Sequence, residues 1–112
     1  VMLEQLVLNL TRNAIESMAG VRRDARVLEV EVSRADDAEA VRVAVSDRGS
    51  GIAPDVAERL FTPFFSTKPD GLGLGLSICR SVAEQCGGRL WHEPREGGGT
   101  RFILSLPQGA AA

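Results

Sequence analysis

Three groups of residues in this chain have types and spacings that could do chemistry. The first is Asp47, which continues the parity of Val43 and Val45 in an alternating run just before the chain breaks into Gly49-Ser50-Gly51. That parity aims the carboxylate toward the side where the valines make a core. A buried carboxylate needs donors or a cation, although a turn-forming aspartate before glycine is an equally familiar use of the residue. The second group is Gln5, Asn9, Asn13 and Glu16, which recur at four- and three-residue spacing and so stack on one helix face. Such a line either faces a lined cavity, where its amides find partners, or is a solvated outer face. The third is Gly71, Gly73 and Gly75 running into a helical pattern. Free N–H groups and the positive end of a helix dipole make that arrangement an anion site; the alternative is a flexible lid or linker.

The elements that must position these groups follow from periodicity. Residues 2–18 read as a helix with Leu3, Val7, Leu10, Ala14 and Met18 as its stripe, Leu6 on one flank and Leu8 and Ile15 on the other. Apolar on most sides, it is expected to be buried. Leu28, Val30 and Val32 alternate with glutamates, and Val41, Val43 and Val45 with Arg42, Ala44 and Ser46; these are two half-buried strands of a hairpin, turning at Asp36 to Glu39. Residues 54–60 open with proline and form a short helix. A second long helix spans 74–86, with Ile78, Cys79, Val82, Ala83 and Cys86 as its apolar stripe, and Gly87-Gly88 stops it. Strands at 89–91 and 100–106 complete the order helix, two strands, helix, two strands. That order implies an α+β two-layer sandwich, a mixed, mostly antiparallel sheet with helices on one face.

Composition narrows the function. The chain has 112 residues with 13 basic against 15 acidic side chains, a net charge of −2, so no basic surplus favours nucleic acid. No apolar run is long enough to span a membrane, so no membrane contact by this domain is expected. Twelve glycines, ten of them between Gly49 and Gly99, exceed the typical ~7%. The G-x-G-x-x-G dinucleotide fingerprint fails because Leu76 and Ile78 occupy the two available third positions, and no Gly-Lys-Ser/Thr occurs for a Walker loop. Cys79 and Cys86 lie seven apart on a helix, about 10 Å along its axis, too far for a bridge, and read as reduced, small core hydrophobes. His92, at a strand end beside Glu93-Pro94, reads as a surface residue.

In order, the chain shows N-L-x-x-N-A-x-E from Asn9 to Glu16, D-x-G-x-G from Asp47 to Gly51, F-x-P-F from Phe61 to Phe64, G-x-G-x-G-L-S-I from Gly71 to Ile78, and G-G-G-T from Gly97 to Thr100. Together these closely resemble the N, G1, F, G2 and G3 boxes of the catalytic ATP-binding domain of sensor histidine kinases. That fold is shared with gyrase and the heat-shock chaperone ATPases. The resemblance covers nearly the whole chain and is nearest to the nitrogen-regulation and oxygen-sensing kinases. It implies one ATP-binding domain over residues 1–108 with a tail at 109–112, and one or two strands preceding the first helix that this sequence does not include.

The resemblance further implies Mg-ATP as cofactor and γ-phosphoryl transfer to a histidine. Asn13 would coordinate Mg²⁺, with Asn9 one turn earlier on the same line, and Asp47 would accept from the adenine amine. Gly49, Gly51 and Ile52 would lie along the base and Thr100 at the strand closing its side. Phe65 to Gly75 would be the lid, with Lys68 neutralising phosphate charge and Gly71, Leu72, Gly73, Leu74 and Gly75 at the phosphates. Phe61, Pro63 and Phe64 would anchor its base. The acceptor histidine would belong to a separate dimerisation domain of the same protein, with a response regulator downstream, in a cytoplasmic domain whose parent can be anchored in the inner membrane. Glu16 departs from the lysine many relatives use near the phosphates. Chaperone and gyrase relatives have glutamate where Asn9 stands, and asparagine cannot serve as their hydrolytic base. The alternative within the superfamily is a nucleotide-binding module without transfer activity.

Overall fold

The computed structural model describes residues 2–34, 40–62 and 75–107. Its elements are helix α1 (Met2–Ser17), a 3-10 turn (Arg23–Ala25), strands β1 (Glu29–Arg34) and β2 (Ala40–Ser46), a short helix α2 (Pro54–Ala57), helix α3 (Gly75–Gln85) and strands β3 (Arg89–Pro94) and β4 (Thr100–Pro107). The four strands form one sheet in the order β1-β2-β4-β3, and every pairing in it is antiparallel. The expected two-layer α+β sandwich is therefore present, its described sheet antiparallel throughout rather than mixed. The expected turn at 36–39 and the tail lie outside the described residues.

Register sets which side chains meet. Val45 stands opposite Phe102, and Phe102 opposite His92, while Val43 aligns with Leu104 and Leu90. These rows face the helices. Leu6, Leu10 and Ala14 of α1 and Cys79 and Ala83 of α3 close on Val45, Leu90, Phe102, Leu104 and Leu106 to make the core. On the opposite face Ala44, Ile103 and Trp91 share a row. The guanidiniums of Arg42 and Arg89 lie 5.5 and 5.3 Å from the Trp91 ring centroid, so their stems and the indole shield Ile103 without a second helical layer.

Several sequence expectations need correction. β1 pairs with β2 as expected, yet it is exposed on both faces, with Val30 50% and Val32 67% accessible. The reason is coverage: α1 lies against β2, and α3 against β3 and β4, so the helical layer stops one strand short. For the same reason α1 is not wrapped in protein. Leu8 and Ile15 are exposed and Leu6 is buried, which places the core-facing stripe on the Leu6 flank. In α3, Cys79 and Ala83 are buried but Ile78 is exposed.

Gly87 and Gly88 stop α3 as expected, the Gly88 N–H donating to the Ala83 carbonyl at 2.8 Å. The turn before β4 uses its glycines more stringently. Gly98 has φ +113 with open space where a Cβ would point, whereas Gly99 has φ +100 and a Cβ there would collide with the Asp47 carbonyl oxygen. Gly98→Ala is expected to lower stability by about 1–2 kcal/mol through the positive φ alone. Gly99→Ala should cost a further ~1–3 kcal/mol because backbone must shift. Urea unfolding midpoints of the two variants measure the difference, and equal midpoints would contradict the close approach.

Candidate active site

The site is built where β2 leaves the sheet. Asp47 is 1% exposed, and its N–H donates to the Thr100 carbonyl at 2.9 Å, extending the β2–β4 ladder by one rung. Its carboxylate folds back onto the backbone around it. Oδ1 accepts from the Gly49 N–H at 2.8 Å and from the Thr100 N–H at 3.4 Å. Both donors fall on one oxygen, so the parity read from the sequence delivers a carboxylate that is buried and braced by main chain. Thr100 is itself 5% exposed.

Glycine is needed at this joint because three segments meet there. A Cβ on Gly49 would lie 2.7 Å from the Ser17 carbonyl oxygen, 2.8 Å from Ser17 Oγ and 3.0 Å from Asp47 Oδ1. The end of α1 thus presses directly on the loop after β2. Met18, buried, adds a sulfur that accepts from the Arg48 N–H at 3.4 Å. Arg26 holds the chain beyond α1 by donating to the Val21 and Ala19 carbonyls at 2.7 and 3.0 Å. On the other side the Gly97–Gly99 turn is braced by Arg95, whose Nη1 donates to the carbonyls of Glu96 and Gly98 at 3.0 Å each. Gly51 has φ +81, and Ile52, Leu60 and Phe61 carry the following segment onto the core.

The polar line of α1 is half in and half out: Asn9 and Asn13 are half-buried, Gln5 and Glu16 exposed. The Asn9 side chain lies near enough to the buried Cys79 thiol of α3 to favour its ionised form. Asn13 lies one turn nearer the Ser17–Gly49 contact and is engaged in interactions of its own. Gly75 opens α3. The expected lid and phosphate residues Phe65, Lys68, Gly71, Leu72, Gly73 and Leu74, with Pro63 and Phe64 at its base, lie outside the described residues. Among the described residues no cluster of three His, Cys, Asp or Glu side chains is poised for a metal.

His92 is half-buried, more covered than the surface residue the sequence suggested. It follows Leu90 by two on the helix-facing side of β3 and lies opposite Phe102. Its ring centroid is 5.9 Å from that of Phe102 and 6.1 Å from that of Phe61, and burial lowers its pKa below the ordinary histidine value. The alternation Leu90–His92 was the available signal; the adjoining Glu93-Pro94 obscured it.

Comparison with known proteins bears on this arrangement. Residues 1–110 match the family model described as histidine kinase-, DNA gyrase B-, and HSP90-like ATPase. The chain is 49% identical over 107 residues to the C4-dicarboxylate transport sensor protein DctS of Rhodobacter capsulatus, covering 96% of this chain and 16% of that protein. It is 46% identical to the sensor protein FixL of Bradyrhizobium diazoefficiens, covering 96% and 21%. Among solved structures it superposes on the catalytic domain of histidine kinase ThkA with TM-score 0.81 at 36% identity, covering 96% of this chain and 66% of that one. For full-length ShkA in complex with AMPPNP the values are 0.79 and 33%, over 99% and 22%. The chain belongs to the histidine kinase-, DNA gyrase B- and HSP90-like ATPase family, as a sensor histidine kinase catalytic domain. It spans about a sixth to a fifth of the length of these two sensor proteins. Among the described residues no helix is long and apolar enough to cross a membrane.

Both cysteines are free, Cys79 buried and Cys86 partly exposed. Burial pushes the Cys79 thiol up, the Asn9 side chain opposing this in smaller part. Little thiolate is then present at neutral pH. In the native chain a thiol reagent is expected to label Cys86 first and Cys79 only on unfolding, as peptide mass spectrometry would show. Equal labelling rates would contradict the packing of α3.

Proposed function

We propose that this domain binds Mg-ATP and delivers the γ-phosphoryl group to a histidine on a separate dimerisation domain of the same protein, in two-component signalling. The observation that carries the reading is the Asp47 carboxylate, buried yet held by two main-chain donors on Oδ1 alone. Oδ2 is then the oxygen that accepts from an adenine amine. Gly49 and Gly51 let backbone approach the base, Ile52 supplies apolar contact and Thr100 closes the strand side. Phe65, Lys68 and the 71–75 glycine segment are the proposed cover and phosphate contacts.

The metal fits the donor set. Asn13 is half-buried and carries an amide, a hard oxygen donor, and Mg²⁺ commonly takes few protein ligands, the rest coming from phosphates and water. Asn9, close to Cys79, is the proposed companion on the same line. When bound, the ion offsets charge on the triphosphate. The chain's own part is positioning: Asp47 fixes the base, Asn13 and Lys68 fix the phosphates, and the γ-phosphorus is presented to an incoming imidazole. There the P–O bond to ADP breaks as a P–N bond forms. The proposed acceptor lies elsewhere; the single histidine of this chain, His92, packs near the rings of Phe61 and Phe102. A response regulator would receive the phosphoryl group next.

Titration of a fluorescent ATP analogue with and without Mg²⁺ tests the site. Asp47→Asn is expected to weaken binding by roughly 10- to 100-fold, the range for losing a charged hydrogen bond. Asn13→Asp should change the metal dependence instead. Equal affinity in the parent and both variants would sink the assignment. Transfer is tested by adding a helical dimerisation domain in trans; acid-labile phosphohistidine is the expected product, and its absence would favour a module that only binds nucleotide.

A further inference from the structure

We propose that His92 is a positioning residue of the nucleotide site, fastening Phe61 and the 51–62 wall to the sheet while its imidazole is neutral and loosening them when it is protonated. The proposal rests on the nucleotide reading above for its effect on affinity, but its geometry is independent of that reading. Val45, Phe102 and His92 form one row across the sheet. The next row on the same face contains Asp47 and Thr100, joined by the 2.9 Å bond between strands. The imidazole is therefore part of the floor beside the proposed base pocket. Phe61 covers it from above at 6.1 Å, with the rings tilted by 36°, and Leu60 and Ile52 accompany Phe61 onto the core.

The surroundings favour the neutral ring. The Arg80 guanidinium of α3 sits 5.1 Å from the Phe61 centroid, so a cation already rests against the aromatic cover. Protonating His92 adds a second cation to a partly desolvated cluster in which Phe61 and Phe102 provide no hydrogen-bond acceptor. Asp47, the acidic group on the neighbouring row, pulls the other way. It lies one row and two strands distant, roughly 12 Å by sheet spacings, so its attraction is about a third of that of a charge in direct contact at 4 Å. Burial lowers the His92 pKa, so the contribution of the neutral ring is complete above the ordinary histidine value. It is lost as pH falls from there through the folded value.

The chain has one histidine, so a single variant isolates its titration. Binding of the fluorescent ATP analogue is measured for the parent and His92→Phe between about pH 7.5 and 5.5, alongside amide exchange of residues 51–62 normalised for intrinsic rate. The parent's affinity is expected to fall roughly threefold more than the variant's across that range, with exchange in 51–62 accelerating in acid only in the parent. Phe61→Leu, which uncovers the imidazole, should move the His92 titration seen by NMR back toward its ordinary value. Coincident pH profiles, or exchange in 51–62 indifferent to pH in the parent, would overturn the proposal while Asp47→Asn still weakened binding. If Asp47→Asn bound like the parent, the nucleotide reading would fall, and with it the assignment of His92 to that site.

Discussion

The architecture depends on one buried charge being satisfied at one joint. Asp47 stands where β2 ends, β4 begins and the last turn of α1 arrives, and a carboxylate removed from water there costs several kcal/mol unless it is hydrogen-bonded. Among the described residues the compensation is main-chain. Thr100 receives a bond from Asp47 through its carbonyl and gives one back through its N–H, and Gly49 supplies the second donor. Each partner is usable only because a neighbouring glycine lacks a Cβ, Gly99 against the Asp47 carbonyl and Gly49 against Ser17. Glycine spacing, sheet register and helix placement are thus not separate features. Shift β4 by one residue and the donor at Thr100 is lost along with the alignment of Phe102 and Leu104 in the core.

Much of this was legible before any coordinates. Valine alternation gave β2, and its parity carried to Asp47 with no break, because a period of two survives to the last residue of a strand. Glycine pairs and triplets marked helix stop and turn for the same local reason, positive φ. What was not legible was the breadth of cover. β1 shows as clean an alternation as β2, but alternation reports only that one face is apolar. Whether a helix lies over that face depends on strand order, and order β1-β2-β4-β3 puts β1 beyond reach of both helices. The apolar excess of α1 misled in the same way. Leu8 and Ile15 have the composition of buried residues without a neighbour to bury them.

His92 shows the converse error. A polar type beside Glu93 and proline reads as surface, yet register places it on the inner face between two phenyl rings. Residue type set the sequence expectation and backbone parity set the outcome. Parity wins because a strand cannot turn one side chain outward without a bulge. The outer face obeys the same logic with different chemistry. There Trp91 stands beside Ile103 in one row, with the guanidiniums of Arg42 and Arg89 over its ring, while among the described residues the helices cover the inner face only from β2 to β3.

This asymmetry bears on how such a domain can work. The helices lie on one side of the sheet, and Asp47, Asn13 and Thr100 all belong to that side. In the proposed reading the domain supplies binding and orientation but no acceptor, because its one imidazole is committed to the aromatic floor. Transfer then becomes a bimolecular or interdomain event whose rate depends on effective concentration and approach geometry as much as on affinity for nucleotide. Control can therefore be exerted without altering the pocket at all, by moving the domain relative to its acceptor. A main-chain-braced Asp47 suits that proposed division, in which the base would stay fixed while regulation acted on the approach to the γ-phosphate.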